Sequence, residues 1–339
     1  MIHSKSEVAI VVLNFNGIAL LKRFLPTVVQ YSKNHTIFLV DNASTDASVS
    51  YVQTHFPSIK CIVHEENHGV SKGYNLALEQ IHATYYVLLN NDVLVTQHWL
   101  QDMLFLMEED KSIALCQPKI CSLVAPNWFE YAGAAGGFID ARGYPFCRGR
   151  IFNNLEQDTG QYNDKRAIFW ASGACLLVRA RVFHALGGFD PLFFAHFDEI
   201  DLCWRAHLFN WKVYYCGSST VYHLGGGSLP YTHTYKTYLN FRNRALMLHK
   251  YHSFFFCTCM ERFFWDVLAA FRMCLLGKFA HGWAIIKAQL DFFKLRKQCK
   301  TYYMHRFYLL PTVYTGNMVI DFFIKKKRRF SELLPKRFT

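Results

Sequence analysis

The chain has 339 residues, of which 52% are hydrophobic, enough to bury one large α/β domain with material left over. Its formal net charge of +12 is uneven: residues 1–240 hold 18 Lys and Arg against 20 Asp and Glu, and residues 241–339 hold 19 against 5. A basic excess confined to one end, beside a slightly acidic remainder and without a recognisable nucleic-acid module, argues against a nucleic-acid partner.

The first expected element is a strand from Val8 in VAIVVLNFNG, a continuous run rich in β-branched residues that ends in Asn14, Asn16 and Gly17. A segment of helix length, Ile18 to Tyr31, follows. Thr36 to Val40 is a second strand ending in Asp41-Asn42-Ala43-Ser44-Thr45-Asp46, and Lys60 to Val63 a third, ending near Asn67-His68-Gly69. Ser71 to Ile81 is again of helix length, and Tyr85 to Leu89 is a fourth strand, ending in Asn90-Asn91-Asp92. This alternation predicts a doubly wound, mostly parallel sheet, in which ligands bind outside the carboxyl ends of the strands. One polar cluster there suits any solvated loop, but four on one edge point to a ligand site.

The first turn lacks a G-x-G-x-x-G pattern, which argues against a dinucleotide-type phosphate cradle. Asp41 to Asp46 also reads as a turn with an N-cap, Asp46 above all. Asn90-Asn91-Asp92 puts an acid among amides at a strand end, which suits either a hard cation shared with a substrate diphosphate or a plain turn.

Further along, Trp170-Ala171-Ser172-Gly173-Ala174-Cys175 opens the apolar Leu176 to Val178 with small residues that let a bulky ligand approach the backbone; a plain buried strand is the alternative. Phe189 to Arg205 reads F-D-P-L-F-F-A-H-F-D-E-I-D-L-C-W-R, with Asp198, Glu199 and Asp201 at the start of an apolar-periodic segment. A helix dipole favours acids there and accounts for Asp198 and Asp201. The Phe- and Leu-rich approach adds a dry pocket edge, where a carboxylate is tuned as a base. His223 in V-Y-H-L-G-G-G-S precedes a flexible, amide-rich loop, Gly225 to Ser228, able to fold over phosphates, although a lone His is more often structural. Lys236, Arg242 and Arg244 in the next, Tyr-rich stretch are either cations for a leaving diphosphate or surface charge.

The final hundred residues are aromatic as well as basic, and their apolar stretches are broken by Arg262, Asp266, Arg272, Lys278 and Lys287. None reaches the roughly 20 residues of a spanning helix. Aromatic and basic residues at helical spacing suit helices lying in a bilayer interface, with Lys325 to Arg329 on anionic lipid; a packed helical extension is the alternative. The eleven cysteines form no C-x-x-C pair, so a reduced, cytosolic compartment is expected, and a first strand near Glu7 leaves no room for a signal peptide.

Taken together, V-L-N-F-N-G, D-N-A-S-T-D, N-H-G-V-S-K-G-Y-N, L-L-N-N-D, S-G-A and F-D-E-I-D-L-C-W-R resemble the motifs of the family 2 inverting glycosyltransferases, in order and spacing over about residues 7 to 250. More narrowly they are similar to the rhamnosyltransferase-like bacterial members. The resemblance implies a GT-A type α/β domain over 1–250, with a nucleotide-sugar half to about 120 and an acceptor half from 121, then a basic aromatic helical extension over 251–339. It implies donor-nucleotide contacts from Asn14, Asn16, Asp41, Asn42, Lys72, Asn75, Asn90 and Asn91. Asp92 would hold Mg or Mn with His223, and Lys236, Arg242 and Arg244 would meet the diphosphate. Trp170, Ser172, Gly173 and Asp201 would border the sugar and acceptor. The family's base is the second acid of a Glu-Asp pair, which aligns with Glu199. Here the pair reads Asp198-Glu199, so Asp198 stays an alternative.

The expected activity is inverting, metal-dependent transfer of a sugar from a nucleotide-diphosphate sugar to a hydroxyl of a glycan or lipid-linked acceptor, at the cytoplasmic face of an inner membrane. A polyprenyl-phosphate sugar synthase is one alternative. A nucleotide-sugar-binding protein without turnover is another, of a different class.

Overall fold

The computed structural model describes residues 7–226, 233–251, 255–302 and 310–338, with residues 255–259 as backbone alone. Its first half alternates as expected: β1 (Val8–Asn14), α1 (Ile18–Tyr31), β2 (Thr36–Asp41), α2 (Ser48–His55), β3 (Lys60–Val63), α3 (Gly69–Leu78) and β4 (Tyr85–Asn90). Val8 to Val12 and Tyr85 to Leu89 are buried without a break, because helices cover both faces of a parallel sheet. α1 buries Leu21, Phe24, Leu25 and Val28, the stripe of an amphipathic helix.

The chain continues through β5 (Val93–Val95), α4 (Gln101–Glu109) and β6 (Ile113–Ser122) to four short strands, β7 (Gly137–Asp140), β8 (Pro145–Cys147), β9 (Arg150–Ile151) and β10 (Asn154–Leu155). Then come β11 (Lys165–Ala167), β12 (Cys175–Arg179), α5 (Ala180–Ala185), α6 (Asp198–Leu208), β13 (Lys212–His223) and the helices α7 (Thr234–Tyr251), α8 (Phe255–Leu275) and α9 (Phe279–Leu295). A last short strand, β14, is Val313–Tyr314.

The main sheet runs β11-β13-β6-β12-β4-β1-β2-β3, with β5 on β13. β4, β1, β2 and β3 are parallel neighbours, whereas β12 is antiparallel to both β4 and β6. That inversion matters for the site. It brings the entrance of β12 to the exit of β4, where the Asn90 amide donates to the Ala174 carbonyl at 3.0 Å. Register sets Asn14 beside Asp41 and Leu13 beside Asn90, and β13 ends with His223 opposite Val93.

A second sheet runs β10-β9-β8-β7-β14. Its strands are two to four residues long, too short to show periodicity in sequence. β14 comes from the tail and pairs in parallel with β7. Residues 310–338 therefore do not prolong the helical extension. They return to the α/β domain, where Phe330 packs 4.9 Å from Phe138 and Phe322 packs 4.7 Å from Phe152. The basic cluster at 325–329 is partly consumed in this return. Lys325 pairs with the buried Asp321 at 2.9 Å, and Arg328 lies 4.0 Å over the Phe322 ring.

Candidate active site

The carboxyl edge is stitched by amides. Asn14 donates to Asp41 at 2.9 Å, Asn91 donates to Asn14 at 2.8 Å, and Ser44 donates to Asp41 from its amide and its hydroxyl at 2.8 and 2.6 Å. Asn16, at a φ of 47°, turns its side-chain oxygen to the Thr45 amide at 2.7 Å. Asn42 donates to the Gly69 carbonyl, and its own oxygen is buried without a partner. Asp46 accepts from the first amides of both α1 and α2 at 3.0 Å, which is the capping role its position suggested. Two expected nucleotide residues lie elsewhere. Asn75 clamps Phe189 with a pair of bonds at 2.8 and 2.9 Å, and Lys72 is exposed near Glu66.

Next along the edge, Asp92 and His223 meet as expected: His223 Nε2 is 3.0 Å from Asp92 Oδ1, and both are buried. Sequence reasoning missed the third member, Glu130, which lies 3.2 Å from His223 Nδ1 and also accepts from the Ala132 amide. Burial disfavours a charged imidazole, but the Asp92 and Glu130 carboxylates outweigh it and push His223 up to about 10. Of the glycine loop after His223, Gly226 borders the cavity, while Gly227 and Ser228 lie outside the described residues.

The acids of α6 hang on a strained approach. Phe194, His196 and Phe197 have φ of 62°, 66° and 69°, in the left-handed region that bulky residues avoid. α7 holds this path: Asn243 Nδ2 donates to the carbonyls of Phe193, Ala195 and His196 at 2.7–2.9 Å, and Arg242 donates to those of Leu192 and Phe193. From the other side, the Val70 amide donates to the Phe194 carbonyl at 2.6 Å. Gly69 is required there, because a Cβ would lie 2.6 Å from that same carbonyl oxygen. The N-cap position falls on Phe197, so Asp198 is not the cap; it stands in the first turn, where the helix dipole favours an acid. Asp198 is buried and accepts from the Ser71 hydroxyl at 3.4 Å. Burial raises both carboxyls, and the Asp198 charge pushes Glu199 well above the usual range.

Two expected site residues are corrected by this geometry. Asp201 points into the protein, where Arg205, Lys250 and Tyr251 take its oxygens at 2.8, 2.6 and 2.7 Å. Arg242 is spent on the loop carbonyls just described. Neither borders the cavity.

That cavity, about 450 Å³, lies between the two sheets and α7. It brings together Asn90, Asp92 and His223 at one end with Asp198 and Glu199, and its walls include Trp170, Ser172, Gly173, Lys236 and Arg244. Trp170 is fixed by a bond from its indole to the Phe138 carbonyl, and Ser172 by one to the Ala132 carbonyl. Gly173 packs against Glu199, where a Cβ would lie in ordinary van der Waals contact at 3.8 Å. Arg150 and His196 also border the cavity and carried no sequence signal. Burial and the Lys236 charge push His196 down to about 4, leaving it neutral.

Residues 9–187 match the family described as Glycosyl transferase family 2. The chain is 23% identical over 188 residues to the low-salt glycan biosynthesis hexosyltransferase Agl10 of Haloferax volcanii, a match covering 53% of this chain and 57% of that protein. It is 24% identical over 226 residues to the N-acetylglucosaminyl-diphospho-decaprenol L-rhamnosyltransferase of Mycobacterium tuberculosis, covering 60% of this chain and 71% of that protein. The chain thus spans little more than half the length of the first relative. Among solved structures, GalNAc-T7 with UDP, GalNAc and Mn2+ superposes with a TM-score of 0.59 at 14% identity, over 88% of this chain and 55% of that one. The mannosyltransferase PcManGT of Pyrobaculum calidifontis, with GDP-Man and Mn2+, gives 0.51 at 12% identity, over 88% and 77%. These likenesses establish a GT-A type fold. With the family match over more than half its length, the chain belongs to glycosyl transferase family 2.

Proposed function

We propose that this protein transfers a sugar from a nucleotide-diphosphate sugar to a hydroxyl of a glycan or lipid-linked acceptor, with inversion. The observation that carries the reading is the Asp198–Glu199 pair, raised in pKa and facing the cavity that Asp92 and His223 also border. Family membership supports the reaction class, and the Mycobacterium tuberculosis relative is named for a lipid-linked acceptor.

Each residue has a task in this scheme. The nucleotide lies along Asn14, Asp41 and Asn42, with the diphosphate directed toward Asp92. Asp92 and His223 suit a divalent cation: an oxygen and an imidazole nitrogen 3.0 Å apart, beside a cavity that admits phosphate oxygens. No group of three or more His, Cys, Asp or Glu among the described residues is arranged to hold a metal, so the ligand would supply the other oxygens. When bound, the cation would neutralise the leaving diphosphate. Glu199, once ionised, takes the acceptor proton, and Asp198, held by Ser71, keeps its affinity for that proton high. A single displacement needs one base, and the pair supplies it.

The membrane reading rests on α8 and α9. No described helix is long and apolar enough to cross a membrane. α8 is nonetheless inverted relative to an ordinary surface helix: Arg262 and Asp266 are buried, whereas Phe264, Phe271 and Leu275 are more than half exposed. Leu276, Phe279 and Trp283 continue the exposed patch around the turn into α9, with Arg272, Lys278 and Lys287 exposed beside them. A patch of this kind suits the interface of an anionic leaflet, where a lipid-linked acceptor would be presented.

Incubating a panel of nucleotide sugars with Mn2+ and a lipid-linked sugar, and scoring release of nucleoside diphosphate, tests the reaction. Release that needs the acceptor and stops in excess chelator is the expected result. Full activity in chelator would remove the cation from the scheme, and no release with any donor would remove the activity.

A further inference from the structure

Arg150, on β9, is a buried cation that the fold leaves without a counter-ion. Its Nη1 donates to the Phe152 carbonyl at 3.1 Å and its Nη2 to Cys147 Sγ at 3.5 Å, both uncharged acceptors, and its Nε is buried without a partner. No carboxylate among the described residues pairs with it. Glu130, whose charge it feels, is turned to His223 and the Ala132 amide. The guanidinium is stacked 4.2 Å over the Tyr131 ring, which holds its plane, and both residues border the cavity.

A second unpartnered Nε belongs to a residue of the same cavity wall. Arg244 pairs with Asp266 through Nη2 but leaves Nε buried and unbonded, and it too borders the cavity. Its guanidinium lies 5.2 Å from the Tyr144 ring, itself 6.4 Å from the ring of Phe152, whose carbonyl Arg150 holds. A buried charge lacking its partner is costly, and a planar guanidinium at a cavity wall matches phosphate oxygens.

We propose that Arg150, in a cavity wall that Arg244 also lines, forms a phosphate subsite, which takes a phosphate or diphosphate group of a ligand. The inference rests on the glycosyltransferase reading for its ligands, which supplies two sources of that chemistry: the donor's diphosphate, and the phosphate of a lipid-linked acceptor. Arg150 then holds the anion electrostatically and directionally, independently of the cation at Asp92.

The test is calorimetric binding to wild-type protein and to Arg150→Met and Arg150→Lys, which does not require turnover. The probes are inorganic pyrophosphate without metal, UDP and GDP with Mn2+, and farnesyl diphosphate. Wild type binds pyrophosphate without metal. Arg150→Met weakens that binding at least ~10-fold, and Arg150→Lys retains part of it. A matching loss on UDP or GDP assigns the subsite to the donor, and a loss confined to farnesyl diphosphate assigns it to the acceptor. Melting of the unliganded proteins guards against a folding artefact, because removal of an uncompensated buried charge should leave the midpoint unchanged or higher. Unaltered binding of all the probes, or a lower midpoint with phosphate binding intact, would make Arg150 a structural residue and overturn the proposal.

Discussion

Asp198 and Glu199 are adjacent carboxyls at the cavity wall, and two negative charges so placed cannot both form at ordinary pH without cost. Glu199 is therefore raised well above 4.5, first by burial and then by Asp198. In the proposed reaction Glu199 works ionised as the base, so kcat/KM should fall as pH drops through this raised value, in a window above 4.5. Asp198→Asn should move that limb down toward 4.5, and an unmoved limb would mean that another group sets it. The same shift has a stability sign. A carboxyl raised by folding favours the native state at low pH, and that contribution is lost as pH rises through the raised value. Glu199→Gln should accordingly raise the melting midpoint at pH 7 and change it little near pH 4. At the neighbouring centre, Asp92→Ala should weaken binding of nucleoside diphosphate with Mn2+ at least ~10-fold while sparing acceptor affinity. Equal loss on both ligands would point to a folding defect.

The next scale is that of α6 and the elements that hold it. Asn243 spends its amide on three carbonyls of a left-handed path, so Asn243→Ala should cost about 1–3 kcal/mol of stability. It should also lower kcat more than donor affinity, because the acids lose their aim; a variant with normal kcat would contradict that role. Asp201 anchors the helix at Lys250 and Arg205, whose charges offset its burial and hold it below 3.8. Its ionised form stabilises the fold above 3.8, and this contribution is lost as pH falls through the depressed value. Asp201→Asn should thus destabilise by about 3–5 kcal/mol at pH 7, with the gap from wild type narrowing below pH 4.

These elements also mark what was readable in the sequence. The strand–turn clusters at Asn14, Asp41 and Asp92 were legible because each joins a continuous apolar run to a polar turn, a purely local pattern. Asp201 and Asn75 lie in equally polar motifs, and only the fold shows that Lys250 and Phe189 consume them. Glu130 and Arg150 escaped for the opposite reason. Glu130 gains its meaning from His223, and Arg150 from the absence of a carboxylate partner among the described residues, neither of which is visible in their own irregular stretch.

At the scale of the whole molecule, the tail divides its composition by place. Its final part returns aromatic side chains to the second sheet, as Phe330 does against Phe138 and Phe146. Asp321 gathers Lys325 and Lys327 there, so neutralising that cluster would disturb packing as well as charge. The α8–α9 turn is the better probe of membrane binding. Replacing Phe279 and Trp283 together by Ser should weaken sedimentation with anionic vesicles without lowering the melting midpoint, since both side chains project outward. Wild type that ignores such vesicles at low salt would make the patch a contact between copies or with another protein.

Turnover and donor binding compared in one variant, Glu199→Gln, reach the centre of the account. The amide keeps the shape of the side chain and cannot accept the proton, so acceptor-dependent release of nucleoside diphosphate should fall at least ~10²-fold while calorimetric donor affinity stays within a factor of about two. Release at the wild-type rate would contradict the assignment of Glu199 as base, and lost donor binding with it would make the carboxyl a structural part of the nucleotide site.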